Sequence, residues 1–427
     1  MTITNFTKDK RKLITNFFSL SSVEVANYLF PLITLPYLVR VLGVEKFGLI
    51  AFAQAFVQYF VLLTDYGFNL SANRNVSIHR NDIEKVSRIF SSVMLIKFCL
   101  MLLSFMILSA LVFSIPKFRA DWGLYYCCFA FVISNILFPI WLFQGMEKMK
   151  LIAFLNLIAK TIFLVAVFVF VKKQGDYFYV PLLAAIGGIT TGILSIAIAV
   201  KRFHVRLKLV SVVDIADEFK DGWHIFISTA AISLYTTSNT FILGLFTNNT
   251  IVGYYSAAER IIKSGQKLLN PISQTIYPHI SKLVADSKER AVHFIKKALF
   301  IIGGGSFAIS LSIFVLSGPI VRLLLGAQFT ESITVLRILA FLPFIIALSN
   351  IFGIQTMITF NMKEAFSRIL IAAGFINIPL ALILVPFFKH IGLAVAVLTT
   401  ESFVTLTMFL YLHKKGILKA GYVHGKI

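Results

Sequence analysis

The chain has 427 residues, of which 58% are hydrophobic and only 14% are charged, whereas about 25% of residues are charged in soluble domains. Together with a mean hydropathy of +0.85, this composition excludes a soluble globule and predicts a membrane-embedded protein. The net charge of +21 would indicate nucleic-acid binding in a soluble protein, but basic loops on one side of a membrane account for it, so no nucleic-acid partner is expected.

Apolar runs of about 20 residues, the length that crosses a bilayer core, recur along the chain between charged or Pro- and Gly-containing segments. We predict an all-α polytopic fold with twelve transmembrane helices. Their expected positions are 13–39, 47–64, 91–115, 124–143, 151–171, 180–200, 223–245, 253–280, 298–316, 332–355, 367–386 and 392–412. The first run lacks a signal-peptide cleavage motif and is expected to remain in the mature protein.

The distribution of basic residues predicts the topology. The segments on one side of the twelve spans hold 26 Lys and Arg residues, and those on the other side hold 8. The basic loops and both termini are therefore predicted to be cytoplasmic. The predicted outer loops are all short, which argues against a membrane enzyme such as a glycan polymerase or ligase, so no catalytic residue and no cofactor are expected. The three cysteines lie in apolar spans and indicate neither disulfides nor a metal site.

An internal repeat relates the two halves of the chain. Gly48 matches Gly253, and Ala53 matches Ala258, both at an offset of 205 residues and both at the opening of the second span in their half. Parallel six-plus-six repeats build transporters with two lobes around a central cavity. We therefore predict an N-terminal lobe at residues 1–208 and a C-terminal lobe at residues 209–427. The alternative is that this pattern is only a common helix-packing motif.

Ionisable residues within the spans are the main functional signal, because a charge facing lipid at the bilayer centre costs at least about 2.5–3.5 kcal/mol. In span eight, a helix would place five polar side chains on one stripe about 80° wide. These residues are Arg260, Lys263, Lys267, Asn270 and Gln274. We predict that this stripe, together with Gln58 on span two, lines a hydrated cavity.

The other ionisable residues within spans set the charge of that cavity. Lys160 and Arg337 bring the cations to five, against the acids Glu24, Glu259 and Glu401. A positive surplus favours an anionic ligand; the alternative is that the cations pair with these acids and serve structure only. Glu24, Glu401 and also Asp65, at the end of span two, are candidates for coupling to H⁺ or Na⁺; for Glu24, a fixed ion pair with Lys160 or the span-eight cations is an equal alternative.

Four segments in order along the chain carry a resemblance to a known family: LGVEKFG at residues 42–48, DYGFNLSA at 65–72, WLFQGMEKM at 141–149 and VGYYSAAERIIK at 252–263. They resemble the polysaccharide transporter family, which includes the O-antigen flippases (Wzx type), within the multidrug/oligosaccharidyl-lipid/polysaccharide exporter superfamily. The resemblance implies a V-shaped two-lobed bundle in a bacterial inner membrane and alternating access. It also implies that Lys160, Arg260, Lys263 and Lys267 are cavity cations, with Arg337 a looser match.

The function that the resemblance implies is the transfer of an undecaprenyl-pyrophosphate-linked oligosaccharide from the cytoplasmic to the periplasmic leaflet. The expected partners are that lipid, the surrounding membrane lipids and other membrane proteins of glycan assembly. Lipid II or a teichoic-acid-type lipid is a further cargo within the same class. The alternative function is a cation-coupled drug antiporter of the same superfamily, which would need acidic cavity residues where this chain has a basic surplus.

Overall fold

The computed structural model describes residues 3–267 and 270–417. Within these ranges, the described part excludes the side chains of residues 3–29, 31, 224, 228, 231, 232, 234–236, 267, 270–272, 274 and 275. The described residues are mostly helical and contain no β-strand. The all-α fold class predicted from composition is confirmed.

Sixteen α-helices cover most of the described chain. In the first half they are α1 (Ile3–Asp65), α2 (Ser71–His79), α3 (Ile83–Ser114), α4 (Pro116–Arg119), α5 (Trp122–Leu137), α6 (Ile140–Gly145), α7 (Met149–Phe170) and α8 (Tyr179–Phe203). In the second half they are α9 (Val212–Phe246), α10 (Asn249–Lys267), α11 (Asn270–Asp286), α12 (Lys288–Val315), α13 (Ser317–Leu324), α14 (Ser332–Leu339), α15 (Leu342–Asn350) and α16 (Lys363–Lys414). Short 3₁₀ turns occupy Gln174–Phe178 and Ala327–Phe329, and a π-helix occupies Ile351–Ile358.

Eight helical stretches of the described chain are long and apolar enough to cross a membrane. They account for nine of the twelve predicted spans, because the stretch in α16 contains two. The stretch in α1, Leu32–Asp65, contains span two and only the end of span one. α1 is interrupted at Gly43, whose φ of 72° suits glycine, and α16 is interrupted at Lys389, whose φ of 51° is rare for a residue with a side chain. Predicted span seven corresponds to α9, and predicted span eight corresponds to α10 together with α11. Helices α10 and α11 are more polar than the other spans, and some side chains of all three helices lie outside the described part.

The chain forms two compact units. Unit 1 comprises Met1–Leu42 and Ala53–Ala230, and unit 2 comprises Gly43–Phe52 and Ala231–Ile427. The helical segment after Gly43 thus belongs to unit 2, and the first half of α9 belongs to unit 1. The lobe boundary at residue 208 remains a prediction based on topology.

The core of unit 1 is built from two of the sequence motifs. Tyr66 and Phe68 of the motif at residues 65–72 are buried in one hydrophobic cluster. Trp141 and Phe143 of the motif at residues 141–149 are buried in the same cluster. The Tyr66 ring stacks on Phe219 in the first turns of α9, with ring centroids 4.4 Å apart. The motifs therefore hold the start of α9 within unit 1.

Both glycines that the internal repeat matches lie in unit 2. Gly48 and Gly253, the two matched glycines, lie at a close helix crossing in which the backbone of residues 44–48 meets the backbone of α10. A Cβ atom at Gly48 would lie 2.5 Å from the backbone nitrogen of Gly253, and one at Gly253 would lie 2.9 Å from Cγ1 of Val44. Both positions therefore require glycine for packing. Close helix packing, which the sequence offered as the alternative explanation of the pattern, is realised here.

Candidate functional site

The basic stripe lies on α10 in unit 2, and its first cation contacts an aromatic ring. The guanidinium carbon of Arg260 lies 4.9 Å from the centroid of the Phe47 ring, within the range of a cation–π interaction. Phe47 is itself buried and lies in the segment that packs against α10. The side chain of Arg260 is thus held by an apolar surface while its charge is retained.

The second cation of the stripe forms an ion pair one turn along the helix. Lys263 Nζ lies 3.0 Å from Glu259 Oε1, and the hydroxyl of Tyr255 donates to the same oxygen at 3.4 Å. The Lys263 side chain is 55% exposed, whereas that of Glu259 is 17% exposed. The sequence left open that the cations pair with acids, and this alternative applies to Lys263, although more than half of its side-chain surface stays exposed.

A cavity of about 120 Å³ lies beside this pair within unit 2. Its lining includes Glu259 and Lys263 from α10 and Glu401 from the second half of α16. Two buried amides, Asn239 of α9 and Asn377 of α16, also face it, and within the described residues their side-chain oxygens have no hydrogen-bond partner. The cavity therefore combines two carboxylates with amide oxygens, a donor set suited to a hard cation or a proton.

The remaining described site residues lie elsewhere. Arg337 of α14 donates from Nε to the hydroxyl of Ser317 at 2.9 Å and does not line this cavity. Lys160 and Gln58 are half-buried in unit 1. The predicted set is thus divided between the two units, and within unit 2 only Lys263 and Glu401 of the described members share a cavity.

Asp65, a predicted coupling residue, is engaged in an ion pair in unit 1. Its Oδ1 lies 3.0 Å from Nζ of Lys97, whose side chain is only 2% exposed. The pair joins the end of α1 to the middle of α3, next to the cluster built by the motif at residues 65–72. The roles of Asp65 and Glu401 in ion coupling stay predictions. The side chains of Glu24, Lys267, Asn270 and Gln274 lie outside the described residues, so their roles also stay predictions.

Comparison with known proteins assigns the family. The family described as "Polysaccharide biosynthesis protein" matches residues 13–284. The chain belongs to this family. Among its relatives, the Escherichia coli (strain K12) protein named "Putative O-antigen transporter" is 36% identical over 96% of this chain and 99% of its own length. A Shigella dysenteriae protein of the same name is 31% identical over 92% of this chain and 98% of its own length.

Comparison with solved structures shows that the chain has the fold of known transporters. The lipid II flippase MurJ in an inward closed conformation matches with a TM-score of 0.73 and 15% identity, over 94% of this chain and 89% of that one. An inward-facing multidrug resistance MATE family transporter matches with a TM-score of 0.69 and 14% identity, over 92% of this chain and 98% of that one. The likeness confirms the predicted fold of a polytopic membrane protein with twelve helices in two lobes.

The sequence reasoning missed the partner of Asp65 and several residues that line the cavity beside Glu401. Lys97 lies within the apolar run at 91–115, and the rule that singled out Lys160 would have found it. Asn239, Asn377 and Thr400, which also lines the cavity, are uncharged, and polar residues of this kind are frequent in membrane helices. No sequence signal distinguishes them; only the cavity brings them together.

Proposed function

We propose that this protein is a flippase that translocates an undecaprenyl-pyrophosphate-linked oligosaccharide, the O-antigen repeat unit, from the cytoplasmic to the periplasmic leaflet of the bacterial inner membrane by alternating access. Family membership, relatives named as O-antigen transporters and the shared fold of a lipid II flippase support the class of lipid-linked oligosaccharide flippases. Membrane lipids and other glycan-assembly proteins are proposed as further partners. No catalytic step is part of the proposal.

The observation that carries the proposal is the exposed side chain of Lys263. A diphosphate must cross about 30 Å of hydrocarbon, and fixed cations can replace its hydration. Because Lys263 is half-exposed while its counter-ion Glu259 is largely buried, a phosphate oxygen can approach the ammonium group from the open side. Arg260, one turn before Lys263 and held on the Phe47 ring, supplies a second positive charge on the same helix.

The test is complementation of a strain that lacks the gene, with surface glycan and protein level measured together. Lys263→Gln and Lys267→Gln should abolish surface glycan at an unchanged protein level, whereas Arg322→Gln, which removes an exposed cation outside the stripe, should have no effect. Wild-type transport by both stripe variants would contradict the proposal.

A double variant separates ligand binding from structural pairing. If Lys263 only neutralises Glu259, then Glu259→Gln combined with Lys263→Gln should restore transport, because the buried carboxylate no longer needs a counter-ion. If Lys263 binds the diphosphate, the double variant should remain inactive. The same deletion strain also tests the antiporter alternative: intact surface glycan with increased drug sensitivity would favour that function instead.

We further propose that the cavity beside Glu401 takes the coupling ion, H⁺ or Na⁺. The carboxylates of Glu259 and Glu401 and the amide oxygens of Asn239 and Asn377 could hold either ion without other ligands from the protein. Glu401→Gln should abolish the dependence of transport on the Na⁺ or proton gradient in vesicles, and Asn377→Asp should preserve it. Transport by Glu401→Gln that still follows the gradient would exclude this site.

A further inference from the structure

A groove of about 530 Å³ in unit 1 is lined mainly by acidic residues. It lies between the first turns of α3 and α9, on the predicted cytoplasmic side. The connecting residues 205–211 run along α3, where the backbone amides of Arg206 and Lys208 donate to the hydroxyls of Ser87 and Ser91 at 3.1 and 2.9 Å. The connection that leads into α9 is therefore fixed to α3 by hydrogen bonds.

The charge of the groove is opposite to that of its surroundings. The carboxylates are Asp82, Glu84, Asp214, Asp217 and Glu218, and the lining cations are Lys85 and Arg88. The chain as a whole carries +21, and its predicted cytoplasmic loops hold most of that charge. The positive-inside rule gives no reason for acids here, so the acidic lining needs another explanation.

Local structure explains three of the five carboxylates. Asp82 caps α3 by accepting from the backbone amide of Lys85 at 3.0 Å, and Asp214 accepts from Ser211 at the start of α9. Glu84 pairs with Arg88 and with Lys208, at 3.2 and 3.0 Å. Helix capping and ion pairing account for these acids, which leaves Asp217 and Glu218.

The groove also has polar groups that lack a charged partner. Glu218 is only 8% exposed, and its carboxylate accepts from the neutral amide of Asn75 at 3.2 Å. Ser92 is one of the residues that line the groove, and its hydroxyl, which is fully buried behind the groove surface, has no hydrogen-bond partner in the part of the chain that the structure describes. An unpartnered buried hydroxyl is uncommon in native proteins, and beside two carboxylates that form no direct ion pair it indicates a place for a ligand that donates hydrogen bonds.

We propose that this groove docks a basic peptide segment of a cytoplasmic partner protein, with Lys or Arg side chains placed against Asp217 and Glu218. Asp214 and Asp217 are one helical turn apart, so a partner helix with cations at every third or fourth position matches their spacing. Within the described residues no cluster of His, Cys, Asp and Glu is suited to a metal ion, which favours an organic cation. The inference does not depend on the flippase function.

The test uses the full-length protein in nanodiscs of zwitterionic lipid, so that anionic lipid does not compete. The probe is a fluorescent helical peptide with lysine at every fourth position, and its glutamate counterpart is the negative control. Fluorescence anisotropy should show saturable binding of the lysine peptide only. Asp217→Lys should weaken binding by about tenfold or more, because it replaces attraction by repulsion, and Ser92→Ala by roughly threefold through one lost hydrogen bond.

A matched control separates the groove from the general field of the protein. Glu364→Lys makes the same charge reversal at a highly exposed acid at the start of α16, in unit 2, and should leave peptide affinity within about twofold. The proposal is overturned if Glu364→Lys weakens binding as much as Asp217→Lys, or if Ser92→Ala has no effect. Full displacement of the peptide by equimolar spermine would also overturn it in favour of a small-amine site. Unchanged thermal midpoints of the variants would show that they are folded.

Discussion

Replacing Gly48 by alanine should destabilise unit 2, because the new methyl group would meet backbone atoms. A Cβ at this position would lie 2.5 Å from the nitrogen of Gly253 and closer still to the carbonyl oxygen of Asn249. Backbone cannot rotate away as a flexible side chain can, so the two helices must separate. Overpacking of this kind costs about 1–3 kcal/mol, against a gain of about 0.5–1 kcal/mol from replacing glycine in a helix.

The expected net loss for Gly48→Ala is about 1–2 kcal/mol, which corresponds to a fall in thermal midpoint of roughly 2–8 °C for a unit of this size. The assay is thermal unfolding of the purified protein in detergent. Gly265→Ala is the matched control, since a Cβ at Gly265 on α10 meets nothing within 4 Å, and it should raise the midpoint slightly. Equal midpoints for the two variants would refute the packing argument, whereas Gly253→Ala should behave like Gly48→Ala.

Two further predictions concern buried charges. Asp65→Asn should destabilise unit 1 by about 3–5 kcal/mol because it leaves Lys97 buried without its counter-ion. Thermal unfolding should show that combining it with Lys97→Met recovers most of that loss. A double variant as unstable as the single one would contradict this. Burial raises the pKa of Glu218 from 4.5 to about 7, so its contribution to stability is full below pH 4.5 and is lost as the pH rises to about 7. Glu218→Gln should therefore match the wild type near pH 4.5 and exceed it at pH 8 by about 2–3 kcal/mol, with Glu364→Gln unchanged at both; equal stability at pH 8 would show that Glu218 is not buried in the folded protein.

Composition and the spacing of apolar runs were sufficient to predict the fold, because a bilayer admits few ways to satisfy the backbone of a chain this apolar. The breaks within the helices were less predictable. Gly43 was recognised as part of a motif, but nothing in the sequence marks Lys389 as the break in α16, since a non-glycine residue with positive φ is held there by its surroundings. The repeat of Gly48 and Gly253 was found from sequence, whereas their mutual contact required the structure.

The candidate site was predicted in part. The rule that charges inside a membrane mark function found the α10 cations and Glu401, but it cannot tell which side chains share a cavity. Asn239 and Asn377 complete the Glu401 cavity from α9 and α16, and such residues are brought together only by tertiary packing. The groove at Asp217 and Glu218 was missed for a different reason, because acids outside the predicted spans carry no penalty that would single them out.

The two ion pairs in the spans show why counting charges is insufficient. Adding Lys97 and Asp65 to the charges inside the spans leaves the positive surplus unchanged, since the two residues cancel each other. The Lys97–Asp65 pair differs from the Lys263–Glu259 pair on α10 in the exposure of its lysine. Lys97 is 2% exposed, so exchanging its partner would require opening the core of unit 1. Lys263 is 55% exposed and can accept an incoming anion without leaving Glu259. A buried pair resists exchange because breaking it costs about 3–5 kcal/mol, while an exposed one holds its partner by about 0–1 kcal/mol. Accessibility therefore supports the proposed anion site on α10, whereas burial of the Lys97–Asp65 pair indicates a role in stability.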